Sequence, residues 1–192
     1  VAGPLAAVVG LGNPGPRYAD TRHNAGFWLV DRLAAGRGSG FRRASRFHGE
    51  IAEVDLDGRI WVLKPDTFMN RSGQAVVALT SFYRLPAEQV LIVHDDLDLP
   101  PGTVRLKRGG GHGGHNGLRD IVGQAGTPDF LRLRLGVGHP GPGADVVGYV
   151  LTRPPAEELR LIDEAIARAL EVFPRIAAGE VDGVMNLLNR RG

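Results

Sequence analysis

Apolar residues along this chain follow two rhythms, and each predicts a different kind of element. Short continuous runs predict buried strands at Leu5–Leu11 and at Val90–His94, the second ending abruptly in Asp95-Asp96. Three- and four-residue spacing predicts helices instead. Phe27, Val30, Leu33 and Ala34 mark one over 24–33, and Val76, Val77, Leu79 and Phe82 mark another over 72–83. Two strands are expected near 49–56 and 59–64, joined at the hairpin signal Asp57-Gly58. Residues 103–107 and 131–137 alternate apolar with basic side chains, so each strand should turn one face to the core and a basic face to solvent. The Arg/Gly/Ser stretch 36–46 reads as an exposed loop. A glycine-rich loop over 108–115 leads into a short helix from about residue 116. The stripe Leu159, Ile162, Ile166, Leu170 and Phe173 predicts a long helix over 155–173, with prolines at its start where a missing N–H costs little. A last short helix is expected around 181–189. Strands alternating with helices, plus hairpin signals, indicate an α/β sandwich with a mixed sheet.

Composition narrows the picture. The 192 residues are 43% apolar, enough for one domain with a proper core, and no repeat or long linker divides them. There is no cysteine, which removes disulfides, thiolate nucleophiles and zinc–thiolate sites and fits a reducing, cytoplasmic setting. No stretch is long and apolar enough to span a bilayer, and Val1-Ala2-Gly3-Pro4 lacks the basic start of a secretion signal. Net charge is only +2, but basic residues cluster at Arg42, Arg43 and Arg46, at Arg105, Lys107 and Arg108, and again at Arg119, Arg132 and Arg134. A basic face on a near-neutral protein fits a polyanion partner. The competing account is a solvated arginine-rich surface.

Candidate chemistry begins at Gly10-Leu11-Gly12-Asn13-Pro14-Gly15, followed by Thr21-Arg22-His23-Asn24-Ala25-Gly26. The glycine spacing is that of a dinucleotide-binding turn, which would make the protein a nicotinamide-dependent oxidoreductase. That turn needs a helix to begin within it, whereas Asn13-Pro14-Gly15-Pro16 resists helix and the acidic second strand is missing. There is no Gly-x-Ser-x-Gly elbow, and the serines lie in a loop or on a predicted helix. Without a nucleophile, His23 is a candidate general base acting on water. Asp95 or Asp96, at a strand end, is placed to orient it. Asn13, Asn70 and Asn116 offer amides that can bind a peptide backbone or donate to an oxyanion, although turn and cap roles are common for asparagine. Residues 109–114 could bring backbone N–H groups to a phosphate, form a lid, or be merely flexible. His112 and His115 raise the question of a metal, but no carboxylate sits at ligand spacing within that loop, so none is expected.

Taken together, four blocks resemble the bacterial-type peptidyl-tRNA hydrolases. They are the 10–15 and 21–26 pair, Lys64-Pro65-Asp66-Thr67-Phe68-Met69-Asn70 with Ser72-Gly73, His94-Asp95-Asp96-Leu97-Asp98-Leu99-Pro100-Pro101-Gly102, and the run from Gly109 through His115-Asn116-Gly117. Arg132-Leu133-Arg134-Leu135-Gly136 and Val147-Gly148-Tyr149-Val150-Leu151 extend the likeness over nearly the whole chain. The resemblance implies a single-domain three-layer α/β/α sandwich with a twisted mixed β-sheet, over residues 1–192. It implies hydrolysis of the ester joining a peptide to the terminal ribose of tRNA, which recycles prematurely released peptidyl-tRNA. His23 matches the catalytic base, Asp95 its orienting aspartate, and Asn13, Asn70 and Asn116 the cleft amides. Tyr18 and Met69 match wall positions, while Lys107, Arg119 and Arg134 match positions that hold the tRNA acceptor stem. No metal or organic cofactor, membrane or obligate protein partner belongs to this chemistry, and a cytoplasmic monomer is expected. Asp96 stands where many relatives carry Glu, and Arg108 where they are often apolar. The alternative on the same fold is a noncatalytic RNA-binding protein.

Overall fold

The computed structural model describes residues 3–189, so the ends of the expected 1–192 domain lie outside the described residues. Seven strands form one mixed sheet in the order β2-β3-β4-β1-β5-β7-β6. β1 (Ala7–Gly10) lies at the centre, parallel to β4 (Arg59–Pro65) on one side and to β5 (Val90–Asp96) on the other. β7 (Leu131–Gly136) continues the parallel set, and β6 (Val104–Arg108) closes that edge antiparallel to it. β3 (Gly49–Asp55) pairs antiparallel with β4 through the expected hairpin, where Asp57 and Gly58 take positive φ.

Each sheet face buries its own apolar cluster, because alternate strand residues point to opposite faces. Val8, Leu91, Val93, Leu133 and Leu135 face α1 (Ala25–Gly36), α5 (Ala156–Ala177) and α6 (Val181–Asn189). Val9, Leu63 and Ile92 face α2 (Ser72–Tyr83) and α3 (Asn116–Ala125). The result is a single α/β domain in three layers.

Three elements differ from expectation. Part of the 36–46 loop is a strand, β2 (Arg42–Ala44), paired with residues 49–51. Its charged side chains suit a sheet edge, where they discourage further pairing. A five-residue helix, α4 (Val146–Val150), follows the glycine-rich turn after β7 and starts at an Asp145 cap that accepts from Gly148 N–H. The long helix continues past Phe173 and through Pro174 to Ala177, because Ile176 and Ala177 are also buried.

After Gly15 the chain turns and makes one 3-10 turn at Arg22–Asn24, and α1 begins only at Ala25. No helix therefore starts inside the glycine turn, as a dinucleotide site would require. Instead the start of α1 presses against the strands. A Cβ on Gly26 would collide with the Val93 carbonyl oxygen and the Leu11 backbone. That close approach carries His23 to the C-terminal end of β5.

Candidate active site

Segments following the C-terminal ends of β1 and β4, together with the ends of β5 and β7, converge on one side of the sheet, where open α/β sheets collect ligands. A cavity of about 360 Å³ opens there. His23, Asn13, Asp95, Met69, Asn70, Asn116 and Tyr18 line it, so the sheet brings together every predicted catalytic and cleft residue. Lys107 and Arg134 also line it, whereas Arg119 lies exposed on α3 outside the lining.

Asp95 is only 2% exposed and accepts from two histidines. His23 Nδ1 lies 2.9 Å from its Oδ2 and 3.0 Å from its Oδ1. His115 Nε2 lies 2.9 Å from Oδ1. The tautomer of His115 follows from its other nitrogen: Nδ1 accepts from the backbone N–H groups of Gly117 and Leu118, capping α3. Its proton therefore sits on Nε2 and is donated to Asp95. By the same logic His23 gives its Nδ1 proton to Asp95 and keeps a lone pair on Nε2. Burial pulls the His23 pKa down, but the Asp95 charge and hydrogen bond outweigh this and hold it above the ordinary histidine value. Burial alone would raise the Asp95 carboxyl, yet His23 and His115 hold it well below the usual carboxylate range.

Asn24 fixes the turn facing this pair. Its side-chain oxygen accepts Asn13 N–H and its amide nitrogen donates to Asn13 C=O, both at 2.9 Å. The Asn13 side-chain oxygen in turn accepts Met69 N–H at 2.7 Å. A backbone donor demands an oxygen, so the orientation of the Asn13 amide is set and its Nδ2 keeps two N–H groups free of protein acceptors among the described residues. Met69 is buried as a wall, while Asn70 and Asn116 are exposed at the rim. Tyr18 stands edge-on to Phe68 with ring centroids 6.4 Å apart. Phe68 and Val147 are large apolar residues left 58% and 61% exposed, and with Val146, Val150 and Leu151 they give the mouth two greasy sides.

Strands β6 and β7 show the expected alternation, but their basic face is not open to solvent throughout. Arg132 is buried to 2% exposure under the glycine loop, and Arg134 pairs with Asp96 at 2.8 Å. The 109–115 loop supplies the roof. Lys107 therefore remains the more available cation beside the cavity, at half-buried exposure.

Sequence reasoning missed two residues. In the sequence Asn24 stands out only as part of a motif, and His115 only as a possible loop metal ligand. The carboxylate absent from that loop comes from β5. His23, Asp95 and His115 place three possible ligand atoms within 4.8 Å of one another, a spacing a metal could use. The donor set favours protons, since both imidazoles direct N–H groups, not lone pairs, at Asp95. His112 serves its own turn by accepting from Gly114 N–H.

A histidine held by a buried aspartate, facing a free amide donor on an α/β scaffold, is an arrangement suited to a hydrolase that activates water. A family model described as peptidyl-tRNA hydrolase matches residues 7–192. Peptidyl-tRNA hydrolases of Halorhodospira halophila and Neisseria meningitidis are 56% and 52% identical over 181 and 188 residues, covering 94% and 97% of this chain and 93% and 98% of theirs. The crystal structure of the Acinetobacter baumannii peptidyl-tRNA hydrolase superposes with a TM-score of 0.93 at 48% identity, covering 96% of this chain and 94% of that one. The chain belongs to the peptidyl-tRNA hydrolase family and is an enzyme of that activity.

Proposed function

We propose that His23 is the general base of this hydrolysis, Asp95 its orienting partner, and Asn13 the oxyanion donor. His23 Nε2 takes a proton from water, and the hydroxide adds to the ester carbonyl carbon. The oxyanion accepts from Asn13 Nδ2 as the tetrahedral intermediate forms. Collapse breaks the bond to the terminal ribose oxygen, which receives the proton from His23. The products are a tRNA with its hydroxyl restored and a peptide carboxylic acid, which loses its proton to solvent and becomes the carboxylate. The observation that carries this reading is Asp95 accepting from His23 Nδ1, which leaves Nε2 as the open base.

Asn70 and Asn116 read the peptide amide, Tyr18 and Met69 form its walls, and the apolar mouth receives its side chains. Lys107, Arg134 and Arg119 hold the acceptor stem of tRNA through its phosphates. We propose that the enzyme works as a monomer without an obligate protein partner. Among the described residues no helix is long and apolar enough to cross a membrane. The role we assign is that of a cytoplasmic recycler of tRNA, with residues 1–192 acting as one unit. The test is discrimination. N-acetylaminoacyl-tRNA should be cleaved much faster than unblocked aminoacyl-tRNA, and Asn70→Ala with Asn116→Ala should narrow that gap. An unchanged gap in both variants removes the amides from peptide recognition.

A further inference from the structure

Arg132 is among the largest fully buried side chains of the protein, and no carboxylate pairs with it among the described residues. It sits on the β7 face shared with Ile92 and Lys107. Its guanidinium donates instead to backbone carbonyls. One terminal nitrogen reaches Gly111 O, and the other reaches Gly110 O at 2.7 Å and Pro128 O at 3.2 Å. Phe130 lies beneath it, with the guanidinium carbon 4.5 Å from the ring centre. A buried cation is costly unless hydrogen-bonded, and this one is compensated by carbonyl dipoles and the Phe130 ring face.

Two of those three carbonyls belong to the segment Gly109–Gly114, which is glycine apart from His112. Gly109, Gly110, Gly113 and Gly114 all take positive φ. Glycine accepts such conformations but loses the most backbone freedom when ordered, so this segment has little intrinsic reason to hold one shape. Its far end is His115, the second donor to Asp95. The contacts form a line: Arg132 to the Gly110 and Gly111 carbonyls, the loop to His115, His115 to Asp95, and Asp95 to His23.

We propose that Arg132 is a positioning residue for the hydrolysis: it pins the glycine loop so that His115 stays on Asp95 and the base keeps its geometry. The proposal rests on the reading of His23 as the base. The charged and titratable groups around the carboxylate are His23, His94 and His115, with Asp96 and its partner Arg134 alongside. Losing the His115 donor leaves more negative charge on Asp95 for His23, so the imidazolium gains stability and its titration moves to higher pH.

Arg132→Lys keeps a cation and an apolar stem but replaces a planar fork with a point donor, and Arg132→Gln removes the charge. In both, kcat should fall between about 10- and 100-fold, as for a small misplacement of a catalytic group, with KM changed less. The acid limb of the rate should move upward, and the His23 imidazole titration followed by NMR should move with it. Combined with His115→Ala, the losses should be strongly less than additive. If Arg132→Gln does not fold, Arg132→Lys decides. Wild-type kcat with changes only in KM and salt dependence would place Arg132 on the RNA and overturn the proposal. So would a kcat loss that adds fully to that of His115→Ala with the titration unmoved, the signature of a merely structural role. The NMR titration does not depend on turnover, so it separates failure of this inference from failure of the base assignment.

Discussion

His115 donates to Asp95 across 2.9 Å, on the carboxylate that also accepts from His23. The buried Asp95 is thus held from two sides, by the segment before α1 and by the cap of α3. His115→Ala removes one charged hydrogen bond of about 1.5–3 kcal/mol, so kcat should fall roughly 10- to 100-fold. Steady-state kinetics on a blocked aminoacyl-tRNA measures this, and an unchanged kcat would show that one partner suffices.

In the proposed mechanism Asn13 combines two functions in one side chain. Asn13→Asp keeps the oxygen that accepts Met69 N–H but loses the Nδ2 donor and adds charge where the oxyanion forms. Removal of one such donor costs about 10²–10³ in kcat. The variant should keep near-wild-type thermal stability with a kcat loss in that range, whereas a matching loss of folding would reduce Asn13 to a structural turn residue.

The pH dependence follows from His23. Its pKa is raised above the ordinary value by Asp95 against the pull of burial. The base acts unprotonated, so kcat/KM should rise with pH through a single limb centred above about 6.5. A limb at or below that value in the wild type would contradict the described pairing.

Stability should fall with acid for a different reason. Burial, then the neighbouring His115, push His94 down to about 4. The unfolded chain takes up a proton near pH 6.5 that the folded chain refuses until about 4, so unfolding gains ground as pH falls through that window. His23 works oppositely: its contribution is fully present below its unfolded value and is lost only as pH rises through its higher folded value. Asp95 holds its contribution above about 3.9, outside the window. The expected loss between pH 6.5 and 4 is on the order of 3 kcal/mol, read from denaturant midpoints. His94→Gln should flatten the slope, and an equally steep slope in that variant would assign it to other groups.

Salt dependence distinguishes Lys107 from Arg134 beside the cavity. Lys107→Ala should reduce the slope of log affinity for tRNA against log salt by about 0.7–0.9. Arg134 must leave Asp96 before it serves a phosphate, so Arg134→Ala should change the slope less and Asp96→Asn should tighten binding. Equal slopes in the Lys107 variant and the wild type would place that residue off the RNA.

Much of this was legible in the sequence where local pattern and tertiary role coincide. Apolar runs located the parallel strands, helical spacing located α1, α2 and α5, and the glycine turn with His23 marked the site. What was not legible depends on partners distant in sequence. Arg42–Ala44 has no strand pattern of its own and is ordered by pairing with β3. Arg132 looks solvent-facing until the glycine loop folds over it. α4 is too short for periodicity to register. His115 acquires its role only when α3 brings its cap within reach of a carboxylate 20 residues earlier in the chain.

The proposed mechanism stands on His23, held by Asp95, removing the proton from water. The most direct measurement is single-turnover hydrolysis of N-acetylaminoacyl-tRNA by wild type and His23→Ala at saturating enzyme. The account predicts a loss of roughly 10²–10⁴-fold in the variant with tRNA binding retained. Near-normal cleavage by His23→Ala would contradict it.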